Sequence, residues 1–154
     1  MTHITDVRTT GAIEHWGAYG TFKTAGAVTR GNVVAINSSG NITAVATATL
    51  NMVIGVAAES AASGGTCNVL LMGYCDYLVT ADTITAPSVD DATDDYFLIA
   101  VDGGGVAGRS ATELGGVADL EGAQIVGRNL AANSTTTAYG WITAGACMTV
   151  GPGA

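Results

Sequence analysis

The chain has 154 residues, carries 13 acidic and 5 basic side chains, and has a formal net charge of −8 at pH 7. Its length fits one domain, or two small halves, with a hydrophobic core. The acidic balance predicts repulsion from DNA and RNA phosphates. No apolar run reaches the roughly 18 residues that a membrane span needs. We therefore expect neither nucleic acid nor a membrane as a partner.

The composition favours short strands joined by tight turns. Glycine occurs 22 times and proline only twice, while charged residues make up 12% of the chain. Such a chain suits a β fold with many turns. The mean hydropathy of +0.38 is high for a chain without a membrane span. We expect the surplus apolar surface to lie in contacts between subunits.

The first 24 residues differ from the rest, because they hold both histidines and an aromatic series spaced among glycines. Glycine opposes a stable helix. We interpret residues 1–24 as an extended N-terminal arm, and the alternative is an ordinary first strand that pairs with the body. The segment lacks the basic and apolar regions of a secretion signal. The arm residues expected to bind a partner are Ile13, Trp16, Tyr19 and Phe22.

Residues 25–154 are predicted to form a single β domain. Two apolar runs, 33–36 and 42–48, flank a turn rich in Asn, Ser and Gly, which predicts a hairpin. A second pair of runs lies at 53–57 and 66–79, and the later run alternates strictly at one parity. Period-two alternation indicates a strand with one buried face.

Four acids lie within residues 90–95, followed by an apolar run at 96–101 and a glycine-rich turn. Clustered carboxylates can bind calcium. The spacing is not that of a known calcium loop, so a solvated acidic loop is the favoured interpretation. We expect neither a metal nor another cofactor.

The end of the chain echoes the middle at a spacing of 72 residues. This recurrence predicts an internal duplication of residues 53–79 as 125–150. Chance alignment is the alternative. Many apolar residues of the second copy occupy the alternate positions to those that are apolar in the first copy. The recurring positions are Gly55, Gly73 and Cys75, then Gly127, Gly145 and Cys147.

No catalytic motif is evident. Three cysteines, at positions 67, 75 and 147, leave at least one unpaired, and buried free thiols from a reducing cytosol are the favoured interpretation. No cysteine is spaced for a Cys–His pair, and no hydrolase or metalloprotease motif occurs. Two carboxylates brought together by the fold remain the one catalytic alternative. We expect a protein that is not an enzyme.

A rhythm of apolar strand residues punctuated by glycine recurs at residues 25–34, 54–57, 63–73 and 125–131. In this rhythm the chain resembles the capsid decoration, or cement, proteins of tailed bacteriophages. The resemblance implies a mainly β fold, no catalysis, and binding to the outer face of a capsid shell, often as trimers at three-fold sites. The implied partners are the major capsid protein and further copies of the chain, and the implied location is the outer virion surface after synthesis in the host cytoplasm. The acidic stretch and the aromatic N-terminus are not part of the pattern.

We therefore expect a compact β-barrel or β-sandwich of short antiparallel strands that stabilises a viral head by binding only the assembled lattice. One alternative is another virion building block, such as a tail-tube or head-fibre subunit. The other is a carbohydrate- or surface-binding β module, with Trp16, Trp141 and Tyr139 as a stacking platform.

Overall fold

Strands dominate the regular structure of the chain. A computed structural model describes residues 17–46, 52–84, 94–110, 124–130, 137–143 and 148–149. Within these ranges there are ten strands, one short 3-10 turn and no α-helix, so the all-β prediction is confirmed. Consequently, no helix in the described ranges is long and apolar enough to cross a membrane.

Every strand pairing in the sheet is antiparallel. The predicted hairpin of residues 33–36 and 42–48 is confirmed, although its second strand ends at Ala44. The pairing of the strands at 53–57 and 66–79 is also confirmed. The strands are β1 (Gly17–Lys23), β2 (Val33–Ile36), β3 (Ile42–Ala44), β4 (Val53–Ala57), β5 (Thr66–Val79), β6 (Phe97–Val101), β7 (Gly105–Arg109), β8 (Gln124–Asn129), β9 (Thr137–Ile142) and β10 (Met148–Thr149).

The described strands form one open sheet rather than a closed barrel. Its order is β3-β2-β4-β5-β9-β8-β6-β7, with β1 added on β5 and β10 added on β8. No pairing joins the terminal strands β3 and β7 among the described residues, and a short segment bonds to each of them. Ala25 donates its N–H to the carbonyl of Ile42 in β3 (2.7 Å), and Ala81 donates to the carbonyl of Val106 in β7 (2.8 Å).

The same arrangement of strands occurs twice along this order. The hairpin β2–β3 lies beside β4 and then β5, and the hairpin β6–β7 lies beside β8 and then β9. Gly55 and Gly127 are alike, because a Cβ at either would overlap the backbone carbonyl of the next strand, at Leu70 and Trp141 respectively. This supports the predicted duplication, which stays a prediction because Gly145 and Cys147 lie outside the described residues.

The first strand falls where the sequence predicted part of the arm. Residues 17–23 form β1 and pair with β5, from Gly17 opposite Gly73 to Lys23 opposite Thr66. These residues therefore form an ordinary strand that pairs with the body, which was the alternative to an extended arm. Residues 1–16 of the predicted arm lie outside the described ranges.

Two hydrophobic clusters bury the first half of the sheet on both faces. Neighbouring residues Val33 and Val34 are both 0% exposed, although they point to opposite faces. The larger cluster joins the two halves of the sheet and includes Val33, Val56, Leu70, Leu78, Leu98, Val106, Val126 and Ile142. The smaller cluster contains Val28, Val34, Ile42, Ala57, Cys67 and Val69, with Phe22, Ile54, Ala61 and Leu71 packed half-buried against it.

A buried side-chain amide ties the two halves together. Gln124, at the start of β8, is 1% exposed. Its Oε1 accepts a hydrogen bond from the N–H of Val53 (3.1 Å), and its Nε2 donates to the carbonyl of Val53 (3.2 Å). The amide therefore pairs with the first residue of β4 as a strand backbone would.

Candidate functional site

The first candidate surface is β1, which carries two of the four residues predicted to bind a partner. Five of its seven residues are exposed, and Gly20 and Phe22 are half-buried. Tyr19 is 37% exposed and lies opposite Leu70 of β5. The other two predicted residues, Ile13 and Trp16, lie outside the described residues.

The structure does not bring Tyr19 and Phe22 together. Tyr19 lies opposite Leu70, a member of the larger cluster, and Phe22 lies opposite Cys67, a member of the smaller one. No irregularity interrupts the register between them, so their side chains point to opposite faces of the sheet. Phe22 belongs to the packing of the body, whereas Tyr19 is the more exposed of the two predicted residues in β1.

Phe22 is held in the body by close packing with a glycine. A Cβ on Gly20 would lie 2.8 Å from the Phe22 ring, and the side chain of Leu71 is also within reach of that position. The ring therefore occupies the space over Gly20 that a side chain would fill. Replacing Gly20 by a larger residue would displace the ring from the smaller cluster.

The C-terminal end of β1 is anchored to the loop between β4 and β5. The N–H of Gly64 donates to the carbonyl of Thr24 (2.9 Å), and the Thr24 hydroxyl donates to the carbonyl of Ala62 (2.5 Å). The hydroxyl of Ser63 donates to the carbonyl of Ala25 (3.0 Å). Thr24 is 3% exposed, so these bonds are shielded from water and fix the position of β1.

The second candidate surface is a row of side chains that crosses five strands, which we name the aromatic–arginine row. Tyr74 of β5 lies opposite Trp141 of β9, which in turn lies opposite Arg128 of β8. Arg128 lies opposite Phe97 of β6, and Phe97 lies opposite Arg109 of β7. Directly opposed residues in antiparallel strands share a face, so the row is continuous.

The row combines aromatic area with positive charge. Trp141 is 37% exposed, and Arg128 is exposed beside it. The Arg128 guanidinium lies 5.7 Å from the ring centroid of Tyr96, within cation–π range. Two of the five basic residues of this acidic chain lie on this one row. Aromatic and arginine side chains are enriched at protein interfaces, which makes the row a candidate binding surface.

Sequence reasoning missed the row because its members are far apart in the chain and only the strand register aligns them. Trp141 was named only as part of a stacking platform. Of the other two members of that platform, Trp16 lies outside the described residues, and the side chain of Tyr139 is not described. The sequence did place Trp141 and Arg128 in strand-like runs that alternate with a period of two, but it did not show that the two runs pair.

The described cysteines are buried and unreactive in character. Cys67 and Cys75 are free thiols with 0% exposure. Burial raises the pKa of the Cys75 thiol to about 12, and burial also raises the pKa of Cys67. Both thiols are protonated at neutral pH, which disfavours a nucleophilic role. Among the residues that the structure describes, no group of three metal-ligating side chains occurs.

Comparison with known proteins finds a family-model match within the first half of the chain. Residues 5–73 match the family model described as phage cement protein. The resemblance read from the sequence is therefore confirmed over these residues. No curated protein matches the chain.

The cement-protein match includes the first candidate surface but not the second. It covers β1, β2, β3, β4 and β5 up to Gly73, whereas the aromatic–arginine row begins at Tyr74. The match supports a structural role associated with a phage capsid. Such a role suggests a protein that is not an enzyme.

Proposed function

We propose that this chain is a virion structural protein that binds the outer face of an assembled phage capsid and stabilises it. The observation that carries the proposal is the match of residues 5–73 to the phage cement family. The proposed partner is the major capsid protein, and the proposed location is the outer capsid surface after synthesis in the host cytoplasm.

The physical basis of stabilisation is linkage. A protein that binds the assembled shell but not its free subunits stabilises the shell by mass action. A rigid antiparallel sheet suits this task because it orders little on binding, and little entropy is lost. The net charge of −8 favours a position outside the shell, away from packaged DNA. Free buried thiols also fit synthesis in a reducing compartment.

The proposed contact surface includes the exposed aromatic residues. Trp141, with its neighbour Arg128, offers the residue types that most often dominate binding energy. Tyr19 of β1 offers a second aromatic contact inside the cement match. Ile13 and Trp16 stay in the proposal as arm residues that contact the shell. The trimer implied by the resemblance is part of the same proposal.

Co-sedimentation with capsids tests the proposal. Shells assembled from major capsid protein alone are mixed with the purified chain, pelleted and analysed, and the melting temperature of the shells is measured with and without it. We expect stoichiometric pelleting and a higher shell melting temperature. A chain that stays in the supernatant at all concentrations contradicts the proposal.

A matched pair of variants tests the contact surface. Trp141 and Leu130 are both exposed large side chains, at 37% and 47%, but Leu130 lies outside the row. We expect Trp141→Ala to weaken shell binding by about tenfold or more and Leu130→Ala to change it little. Equal losses in the two variants would remove the row from the contact surface.

The row also favours a second candidate function, that of a carbohydrate-binding module. An exposed tryptophan beside a guanidinium presents an apolar ring face and hydrogen-bond donors to a sugar. A glycan array separates this candidate from the first. Saturable glycan binding that Trp141→Ala abolishes, without any capsid binding, would favour the module.

A further inference from the structure

The aromatic–arginine row has a counterpart in the first half of the sheet. Arg128 of β8 lies opposite Phe97 of β6 on one side and opposite Trp141 of β9 on the other. In the first half, β4 lies between β2 and β5 in the same way. The residues at the corresponding places, which we name the first-half row, are Val56, Val33 and Leu70.

The register shows that the two rows correspond residue by residue. β2 shifts register against β4, and β6 shifts register against β8, at the same distance from the row in both halves. A backbone hydrogen bond beside each row is also repeated. The N–H of Ala57, next to the first-half row, donates to the carbonyl of Asn32 (2.8 Å). The N–H of Asn129, next to the aromatic–arginine row, donates to the carbonyl of Tyr96 (2.9 Å).

The two rows differ in what lies against them. The members of the first-half row are all 0% exposed and belong to the larger cluster. The second half of the sheet enters that cluster through Leu98 and Ile142, which are chain neighbours of Phe97 and Trp141. Neighbouring residues of a strand point to opposite faces, so the aromatic–arginine row is turned away from the cluster. The face that builds the core in the first half is thus partly exposed in the second, where Trp141 is 37% exposed.

The residues of the exposed row are those of a protein interface. Where the first half has only Val and Leu, the second half has Phe97, Arg128 and Trp141. A sheet face that meets only water is usually polar and does not need large aromatic side chains. Aromatic residues and arginine are enriched at protein–protein interfaces, whereas lysine and acidic residues are depleted. This composition favours a face that docks on another protein.

Within the described ranges, neither arginine of the row is paired with a carboxylate. The Arg128 guanidinium lies 5.7 Å from the ring centroid of Tyr96. Nη1 of Arg109 donates to the carbonyl of Gly108 (2.5 Å). The carboxyl group of Asp95 lies where a side chain on Gly108 would be, which is the opposite face from Arg109. The row therefore presents positive charge that a carboxylate of a partner can neutralise.

We propose that the row docks an acidic segment of the major capsid protein, which places a carboxylate against Arg128 and an apolar side chain against Trp141. This inference rests on the proposed capsid function and names the chemistry of the partner surface. Arg109 lies two strands from Arg128, at about 10 Å, where it can receive a second carboxylate. The net charge of −8 repels an acidic surface, so such a contact requires a local positive site.

Substitution of Arg128 tests the charge. Arg128→Gln is compared with Lys23→Gln, which removes the same charge at an exposed position outside the row. Both variants lose one positive charge, so any change in overall repulsion is the same in both. In co-sedimentation with shells we expect Arg128→Gln to raise the Kd about tenfold or more, and Lys23→Gln to raise it less than about twofold. Equal affinities of the two variants overturn this inference alone, whereas a wild type that does not pellet overturns the proposed function as well.

Zero-length cross-linking tests the carboxylate directly. Lys23 is the one lysine of the chain, so Arg128→Lys keeps the charge and adds a single amine to the row. A carbodiimide activates a carboxylate, and an amine in contact with it displaces the activating group to form an amide. In shell-bound protein we expect mass spectrometry to map an amide from position 128 to an Asp or Glu of the major capsid protein. No amide at position 128, or one to this chain alone, overturns the inference. If Arg128→Lys does not pellet with shells, the comparison of Arg128→Gln with Lys23→Gln decides.

Discussion

The buried amide of Gln124 makes a specific prediction about what joins the two halves of the sheet. Gln124 and Val53 are both 1% exposed, and the amide satisfies both the N–H and the C=O of Val53. Gln124→Met keeps the side-chain volume nearly constant but removes the donor and the acceptor. It leaves two buried backbone groups unpaired, each costing about 1–3 kcal/mol. We expect the free energy of unfolding to fall by about 2–5 kcal/mol.

Urea denaturation measures this loss, with the slope of the transition as a check that the two end states are unchanged. The matched control is Thr21→Val, which removes a side-chain hydrogen bond of 2.7 Å at an exposed position. We expect that variant to lose less than about 0.5 kcal/mol, because water replaces the lost partner. A loss below about 1 kcal/mol for Gln124→Met, or equal losses in the two variants, would refute the reasoning.

Three further predictions concern a glycine, a thiol and the arm. Gly127→Ala should lower the stability measured by thermal melting by about 1–3 kcal/mol, because the new Cβ overlaps the carbonyl of Trp141. The control Gly26→Ala should cost less, because its Cβ meets only the side chain of Thr43. Cys75 has its pKa raised by burial from 9.0 to about 12, so its contribution to stability is fully present below pH 9 and is lost as the pH rises from 9 toward 12. Urea titrations at pH 8 and pH 10 should show a larger drop for the wild type than for Cys75→Ala, and equal drops would contradict the burial argument. Trp16→Ala should lower shell binding by about 2 kcal/mol or more with an unchanged melt, whereas a collapsed melt would place Trp16 in the core of the body.

The sequence by itself determined the class of the fold and the position of most strands. Alternation with a period of two marks a strand wherever one face is buried, and glycine and asparagine mark the turns between strands. This local signal located the β2–β3 hairpin, the β4–β5 pair and the strand at 97–101. The same glycine rhythm carried the resemblance to cement proteins, which the family match confirms over residues 5–73.

Only the tertiary structure decided how these strands are ordered and what their surfaces present. Strand order and register depend on contacts between distant residues, which a period-two pattern does not encode. The sheet is therefore open where a barrel was one expectation, and residues 17–23 lie in it as a strand. Tyr19 and Phe22 point to opposite faces of the sheet because they are three residues apart in a regular strand. Trp141 and Arg128 are brought together by the pairing of β8 with β9. The candidate surfaces are thus products of register, and register is set by packing over the whole sheet.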